Sequence, residues 1–487
     1  MAIINEIRKI RLKKLEAIQK TGILAFPEKT KRTHQIAEPL KDFSRLSRLK
    51  KEIILAGRIK SLRGHGGSIF FDIEDGSGSI QIFLRKDRVG EKRYQFFLAN
   101  FDIGDFIEVR GILFKTKNGE KTLEAADYKM LAKSLLPLPE KWHGLQDVEE
   151  RFRKRYLDLL FNKETKENFR KRSEIIKAIR LFLETEGFVE VETPVLQPLY
   201  GGAEAKPFKT HLNAFDMEMF LRIAPELYLK RLLVAGFEKV YEIGRVFRNE
   251  GVDRSHNPEF TMLEFYWAYA DYKDMMKLTE KFIEFVLKTV FKKTKVSYEG
   301  KEVNFRAPWP RVEYDALIRK HANVDINSAN KDALFKKAKE LGVLTESSMS
   351  KFQIADAIYK KFCLPKLWNP TFVIHHLAGA KPLAKLLDDN QSQYANFQLI
   401  IAGWEVVNAF SEQNNPIAQR KVFEEQAKLK KEGMEEAHPM DEDFITALEY
   451  GMPPAAGFGM GIDRFVALLT NSHSLREVIL FPTMRPK

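Results

Sequence analysis

A chain of 487 residues, 44% of them hydrophobic, is long enough for two to four domains and too apolar to stay disordered, yet no run in it approaches the ~20 apolar residues that cross a bilayer. Its single cysteine, Cys363, excludes an intrachain disulfide framework and a cysteine-rich zinc site and fits a reducing cytoplasm. The formal charge of +13, from 80 Lys and Arg against 67 Asp and Glu, favours an anionic partner such as a nucleic acid.

The chain opens with "MAIINEIRKIRLKKLEAIQK". Apolar residues three and four apart with lysines between predict a basic amphipathic helix over 2–20. It lacks the apolar core and small-residue cleavage site of a secretory signal, and Glu6 and Glu16 disfavour a mitochondrial presequence. A polar stretch follows from Glu28 to Lys51, closing an N-terminal extension over 1–50.

From residue 51 the period becomes two. "IILAGRIKSLRG", "GSIFFDIEDGSGSIQIFLR" and "GDFIEVRGILFKTKNGEKTLEAADYKML" alternate apolar and polar residues and break at "HGG", "DGSGS" and "KNGE". One helical stretch, near Tyr94–Ala99, interrupts them. The pattern predicts a closed five-stranded barrel of the OB type over 51–135. Such barrels hold single-stranded nucleic acid on exposed aromatics. Phe70, Phe71 and Phe83 with Gln81 are candidates, although each phenylalanine can equally be core.

"LLPLPEKWHGLQD" is a proline-punctuated linker, bounded at 136–150. From Val148 the sequence reads as helix, with Gly187 as a C-terminal cap. "VEVETPVL" alternates as a strand stopped by Pro194 and Pro198. "FRNEGVDRSHNPEF", Phe247 to Phe260, packs two arginines, two glutamates, a histidine and two asparagines into fourteen residues; Gly251 and Pro258 make it strand, loop, strand. A strand and long helix follow in "EFYWAYADYKDMMKLTEKFIEFVLKTVF". A mixed insert over 300–390 is richest in helix around Lys331–Lys361. "FQLIIAGWEVVNAFSEQ" reads as a buried strand or strand pair, and "AAGFGMGIDRFVALLTN" as a Gly-rich turn opening a helix. Strands distant in sequence with helices between them predict an α+β domain with an antiparallel sheet over 151–487.

"GFGMGIDR" lacks the third glycine and the βαβ unit of a dinucleotide fold, and no Walker loop, kinase signature or paired metal-binding histidine motif occurs. Two stretches instead complement each other. Arg248, Glu250, Arg254, His256 and Phe260 stand in one; Gly457, Gly459, Gly461 and Arg464 stand in the other. An arginine fork suits phosphate oxygens and stacks on a purine, a glutamate accepts from an exocyclic amine, and glycines admit a ligand close to the backbone. They are the parts of a nucleotide site; a surface ion-pair network is the structural alternative.

"GFVEVETPVL", "VFRNEGVDRSHNPEFTMLEFYWAY" and "GFGMGIDRFVALLT" resemble, in that order, motifs 1, 2 and 3 of the class II aminoacyl-tRNA synthetases, here about 171–196, 239–267 and 455–470. "GGAEAKPFKTHLNAFDMEMFLRIAPELYLKRL", "PLPEKWHGLQDVEERFRKRYLDL" and "NSHSLREVILFPTMRP" are similar to class II lysyl-tRNA synthetases of the bacterial and eukaryotic type. The resemblance covers roughly 50–487 and is weakest in the insert. It implies a cytoplasmic homodimer, built on motif 1, that forms lysyl-adenylate from lysine and ATP with Mg²⁺ and passes lysine to tRNA(Lys).

By motif position, Arg248, Glu250, His256, Asn257, Phe260, Gly461 and Arg464 would bind ATP, with Arg248, Glu250, His256 and Arg464 closest to the chemistry. Gly202, Glu226, Arg248, Glu264, Tyr266, Asn408 and Glu412 would bind lysine, with Glu264 and Glu412 on its ε-ammonium. Arg63, Phe70, Gln81 and Asp127 would read the anticodon. The metal pair falls on Glu405 and Gln398. Four positions depart from the family pattern: Ser255 replaces an arginine, Trp404 stands in "GWE" for "GRE", Gln398 replaces an acid, and Asp127 replaces a glutamate. Aspartyl- and asparaginyl-tRNA synthetases share the barrel and the motifs, but the acids at 264 and 412 argue against them. The barrel argues against an elongation-factor-P lysine ligase, and the intact motif arginines argue against a non-catalytic RNA-binding paralogue.

Overall fold

The computed structural model describes residues 2–139, 147–346, 349–379, 381–431 and 437–486; residues 140–146 of the expected linker lie outside them. The chain divides into two units, Met1–Gln146 and Asp147–Lys487. No helix among the described residues is long and apolar enough to cross a membrane.

In the first unit the amphipathic spacing forms helix α1 (Ala2–Lys20). Two short helices, Ala37–Lys41 and Phe43–Leu49, occupy the polar stretch. They are too short for periodicity to reveal, and tertiary burial of Ile36, Phe43 and Leu46 in the barrel core accounts for them. The barrel strands are β1 (Ile53–His65), β2 (Ser68–Glu74), β3 (Ser79–Arg85), β4 (Phe106–Lys115) and β5 (Lys121–Ala132), closed in the order β1-β2-β3-β5-β4. Alternation sends Ile69, Phe71 and Ile73 of β2 and Ile80, Ile82 and Leu84 of β3 into the core. Phe71 is therefore core, packed 5.0 Å from Phe97 of helix α2 (Glu91–Asn100), whereas Phe70 and Phe83 point outward and stack on each other at 4.4 Å.

The second unit is built on an eight-stranded sheet. Its strands are β6 (Val189–Glu190), β7 (Lys239–Phe247), β8 (Glu259–Ala268), β9 (Arg311–Glu313), β10 (Thr371–Ile374), β11 (Asn396–Ile401), β12 (Trp404–Ser411) and β13 (Ala455–Gly461). They lie in the order β9-β10-β11-β12-β13-β8-β7-β6, antiparallel throughout except at the two outer pairs. One face is covered by α3 (Lys163–Thr185) and α4 (Tyr272–Phe291), which bury Ile179, Phe182 and Phe282 against Leu263, Phe265 and Phe458. Helix α3 ends as its sequence predicts. Gly187 takes φ +84°, and Phe188 N–H donates to the Leu183 carbonyl at 2.9 Å. The insert has its own apolar core, in which Cys363 is buried.

Two expectations change. "VEVETPVL" is not one strand. Val189–Glu190 pairs with β7, and beyond Pro194, which has no N–H to continue a ladder, Leu196–Gln197 pairs in a separate three-stranded sheet. The glycines of "AAGFGMG" form strand β13 rather than a turn, and the helix Ile462–Leu469 begins only after Gly461. Glycine is poor in a strand by propensity, but a Cβ at Gly457 would stand 1.9 Å from Glu412 Oε1 and 2.6 Å from the Tyr266 ring. Packing overrides propensity here.

Candidate active site

The sheet face away from α3 and α4 carries the site. Alternation along β8 presents Phe260, Met262, Glu264 and Tyr266 there, while Leu263 and Phe265 face the core. On β12 it presents Asn408 and Phe410, with Glu412 just beyond the strand. Between these rows runs β13, with Gly461, Gly459 and Gly457 opposite Met262, Glu264 and Tyr266 in register, and Gly459 and Gly457 opposite Asn408 and Phe410. A bare strand between two strands of long side chains leaves a trough. Gly202, the loop after β7 and Lys381–Leu383 complete a cavity of about 400 Å³, a size suited to a small-molecule substrate.

One end of the cavity is acidic. Glu226, Glu264 and Glu412 are all buried. The Lys230 ammonium lies fully buried among them, 2.6 Å from Glu226 and in close ion pairing with Glu412. Lys230 and Glu226 meet because they sit four apart on the helix Glu226–Val234. Tyr266 OH donates to Glu264 at 3.0 Å. Burial, reinforced by Glu226, pushes the Glu264 carboxyl up to about 8, and burial raises Glu412 well above the carboxylate range against the pull of Lys230. Burial alone would lower Lys230, but Glu226 and Glu412 outweigh it and hold the ammonium charged. Glu412 Oε1 is buried without a hydrogen-bond donor.

The other end is basic. Arg248 lies over the Phe260 ring at 5.1 Å. Its Nε is buried without an acceptor, as Asn257 Oδ1 is without a donor. Arg464 donates to the Glu405 carbonyl at 3.0 Å and approaches His256 Nε2 at 3.3 Å; Asp253 holds the opposite nitrogen of His256 at 2.9 Å. Orphaned buried polar groups are costly, and here they converge on one cavity from both of its ends.

Gly202, Glu226, Arg248, Glu250, His256, Asn257, Phe260, Glu264, Tyr266, Glu405, Asn408, Glu412, Gly461 and Arg464 all line this cavity. Two residues considered with them do not. Arg254 turns away to Glu299 and to Tyr298 OH, the latter at 3.2 Å, so it does not make up for Ser255. Gln398 is held behind the wall by Tyr359 and His376. On the barrel, Arg63 and Phe70 are cross-strand neighbours, as are Phe70 and Phe83, with Gln81 opposite Asp72. Gln81 accepts from Thr122 at 2.9 Å. Asp127 lies further along β5, its carboxylate 2.5 Å from Arg93.

Sequence reasoning passed over Lys230, Lys381, Arg172 and Asp463. Asp463 is fully buried, accepts from Thr261 N–H at 2.7 Å and pairs with Arg172 of α3 at 2.6 Å. It ties the β13–helix junction to β8. The Glu226–Lys230 spacing was the one signal available for any of the four.

The chain belongs to the class II tRNA synthetases (D, K and N): that family's model matches residues 147–485, and an OB-fold nucleic acid binding domain matches residues 53–131. Among its relatives is the lysine–tRNA ligase of Carboxydothermus hydrogenoformans, 51% identical over 486 residues and covered over 99% of each chain. The lysine–tRNA ligase of Pelotomaculum thermopropionicum is 50% identical over 487 residues, covering 99% of this chain and 96% of the relative. That of a Thermoanaerobacter species is 49% identical over 486 residues, covering 99% and 97%.

Proposed function

We propose that this chain is an ATP-dependent lysine–tRNA ligase, and that the acidic end of the cavity selects lysine by charge count. Lys230 engages Glu226 and Glu412, Glu264 gives up its proton when a cation enters, and lysine brings two ammonium groups to these three carboxyls. Glu264, Glu412 and Tyr266 take the ε-ammonium, with Glu412 Oε1 gaining the donor it lacks. Glu226 and the Gly202 backbone take the α-ammonium. Aspartate would meet repulsion there, and asparagine would leave buried charge unpaired, at a cost of several kcal/mol. The lysine–tRNA ligase relatives, matched over nearly the whole chain, support the same reading.

At the basic end Arg248 holds the carboxylate beside the α-phosphate. The adenine lies between Phe260 and Arg464, and Glu250 accepts from its amine. His256 and Asn257 contact phosphate. The carboxylate oxygen attacks the α-phosphorus as the bond to pyrophosphate breaks, and the tRNA 3′-terminal hydroxyl then displaces AMP from the carbonyl. The first step needs no general base because the nucleophile is already ionised; fixed positive charges stabilise its transition state. Mg²⁺ neutralises ATP phosphate charge when bound, and Glu405 is the carboxylate placed to meet it. Gln398 does not fit as a second protein ligand, because its amide oxygen already accepts from Tyr359 and His376.

Residues 51–135 serve as the anticodon-binding domain, with Phe70 stacking on a base and Arg63 and Gln81 beside it, and 151–487 as the catalytic domain. The working form is a cytoplasmic homodimer. Exposed Leu181, Val189, Val195, Leu196 and Leu199 on and beside motif 1 support that assembly. An amino-acid panel in ATP–pyrophosphate exchange tests the function: exchange with lysine is expected, and exchange driven by aspartate or asparagine instead would refute it. Sedimentation at micromolar concentration tests the dimer.

A further inference from the structure

Gln398 faces the same side of the sheet as its cross-strand neighbour Asn408. Its Oε1 accepts from Tyr359 OH at 3.3 Å and from His376 Nε2 at 3.0 Å. His376 Nδ1 meets the Asn396 amide at 3.0 Å, which places the ring proton on Nε2. An amide oxygen has two acceptor positions, and both are used. The network is buried and neutral; burial, with Lys381 adding to it, holds His376 well below its ordinary range. A carboxylate or a cation at 398 would disrupt it, so a divalent ion shared by 398 and 405 has only one protein carboxylate to bind.

The cavity holds a different cation. Lys381 Nζ donates to Asn408 Oδ1 at 2.7 Å. Among the described residues that is its only side-chain hydrogen bond, and none of their carboxylates comes within ion-pair distance of it. The ammonium thus lines the cavity with donors to spare; burial pulls it below the ordinary lysine range, and Glu405 opposes that shift. Asn408 spends its amide oxygen on Lys381 and so orients the ammonium.

Building on the lysine–tRNA ligase reading, we propose that Lys381 is a substrate-binding residue whose ammonium, oriented by Asn408, holds the amino-acid carboxylate and the α-phosphate together in place of a divalent ion shared between positions 398 and 405. The substrate carboxylate and the phosphate beside it favour the charged form of Lys381 and keep it protonated through the step. The carboxylate–phosphorus bond forms, the bond to pyrophosphate breaks, and no proton moves.

The test uses the full-length protein. Lys381→Met should lower kcat/KM for lysine in ATP–pyrophosphate exchange by about 100-fold, the cost of removing one transition-state donor. Lys381→Cys should be equally impaired and recover on alkylation with 2-bromoethylamine, which rebuilds an ammonium at that position; Cys363 is buried. Recovery separates lost charge from misfolding. Failure to recover at complete alkylation overturns the proposal, as does wild-type exchange in Lys381→Met. Mn²⁺ binding, read by electron paramagnetic resonance with lysine and α,β-methylene-ATP, gives a second readout. Wild type and a Gln398→Leu variant should bind Mn²⁺ with equal stoichiometry, and loss of an ion in Gln398→Leu overturns the replacement of a shared metal by lysine. Wild-type protein without lysine-dependent exchange would instead overturn the functional reading beneath the proposal, before any variant is made.

Discussion

The barrel and the catalytic sheet both present a working face by two-residue alternation, but they prepare it differently. On the barrel the outward residues satisfy one another: Phe70 stacks on Phe83, Gln81 accepts from Thr122, and Arg63 lies 3.4 Å from Asp72. On the sheet the corresponding residues are buried with polar atoms left over, and two carboxylates flank one buried ammonium. A self-satisfied face binds by adding stacking and exchanging surface hydrogen bonds, each a modest gain. A buried unsatisfied face depends on its substrate to complete it, so each residue matters more there and wrong substrates are penalised more heavily.

The contrast is sharpest at the arginines. Arg248→Ala or Arg464→Ala should depress ATP–pyrophosphate exchange by at least ~10³-fold, the scale of a lost phosphoryl-stabilising arginine, and retention of more than a tenth of activity would break the comparison. Next is Glu412→Gln, which leaves Lys230 and the substrate ammonium short of a partner. It should cost about 3–5 kcal/mol in kcat/KM for lysine, the penalty of breaking a buried pair, with little change in the KM for ATP.

The pH dependence of lysine recognition follows from Glu264. Burial pushes its carboxyl up to about 8, and Glu412 beside it is raised as well, so as the pH falls these groups take protons and lose the charge that neutralises an ammonium. Lysine's own side chain stays charged to about pH 10. Affinity for lysine should therefore rise from pH 6 to 8 and then level, and lysine binding near pH 7 should release a proton, measurable by calorimetry in buffers of different ionisation enthalpy. Glu264→Gln should flatten the profile.

Effects on the barrel should be smaller and confined to tRNA. Phe70→Ala is expected to weaken charging by about 1–3 kcal/mol and leave exchange untouched; loss of exchange in a folded variant would make Phe70 a structural residue. Asp127→Ala should be the mildest, within ~1 kcal/mol, since its carboxylate is engaged in a half-exposed ion pair with Arg93.

Much of the molecule was legible locally. Alternation marks β8 and which of its side chains share a face, Gly187 ends α3, and the "DGSGS" and "KNGE" breaks bound barrel strands. These signals are short-range: backbone preference and side-chain period act within a few residues. The strand character of 455–461 was not legible, because the reason for its glycines is Glu412 and Tyr266 on neighbouring strands.

The sequence by itself determined the barrel, the antiparallel sheet and the residue types at the acid and arginine positions, since each follows from local periodicity or an ordered motif. Only the tertiary structure decided what those residues meet. It placed Lys230 between Glu226 and Glu412, turned Arg254 out toward Glu299, used up Gln398 in a neutral network and left Lys381 facing the cavity. Charge pairing and burial depend on which distant strands and loops close around a side chain, and no local pattern encodes that closure.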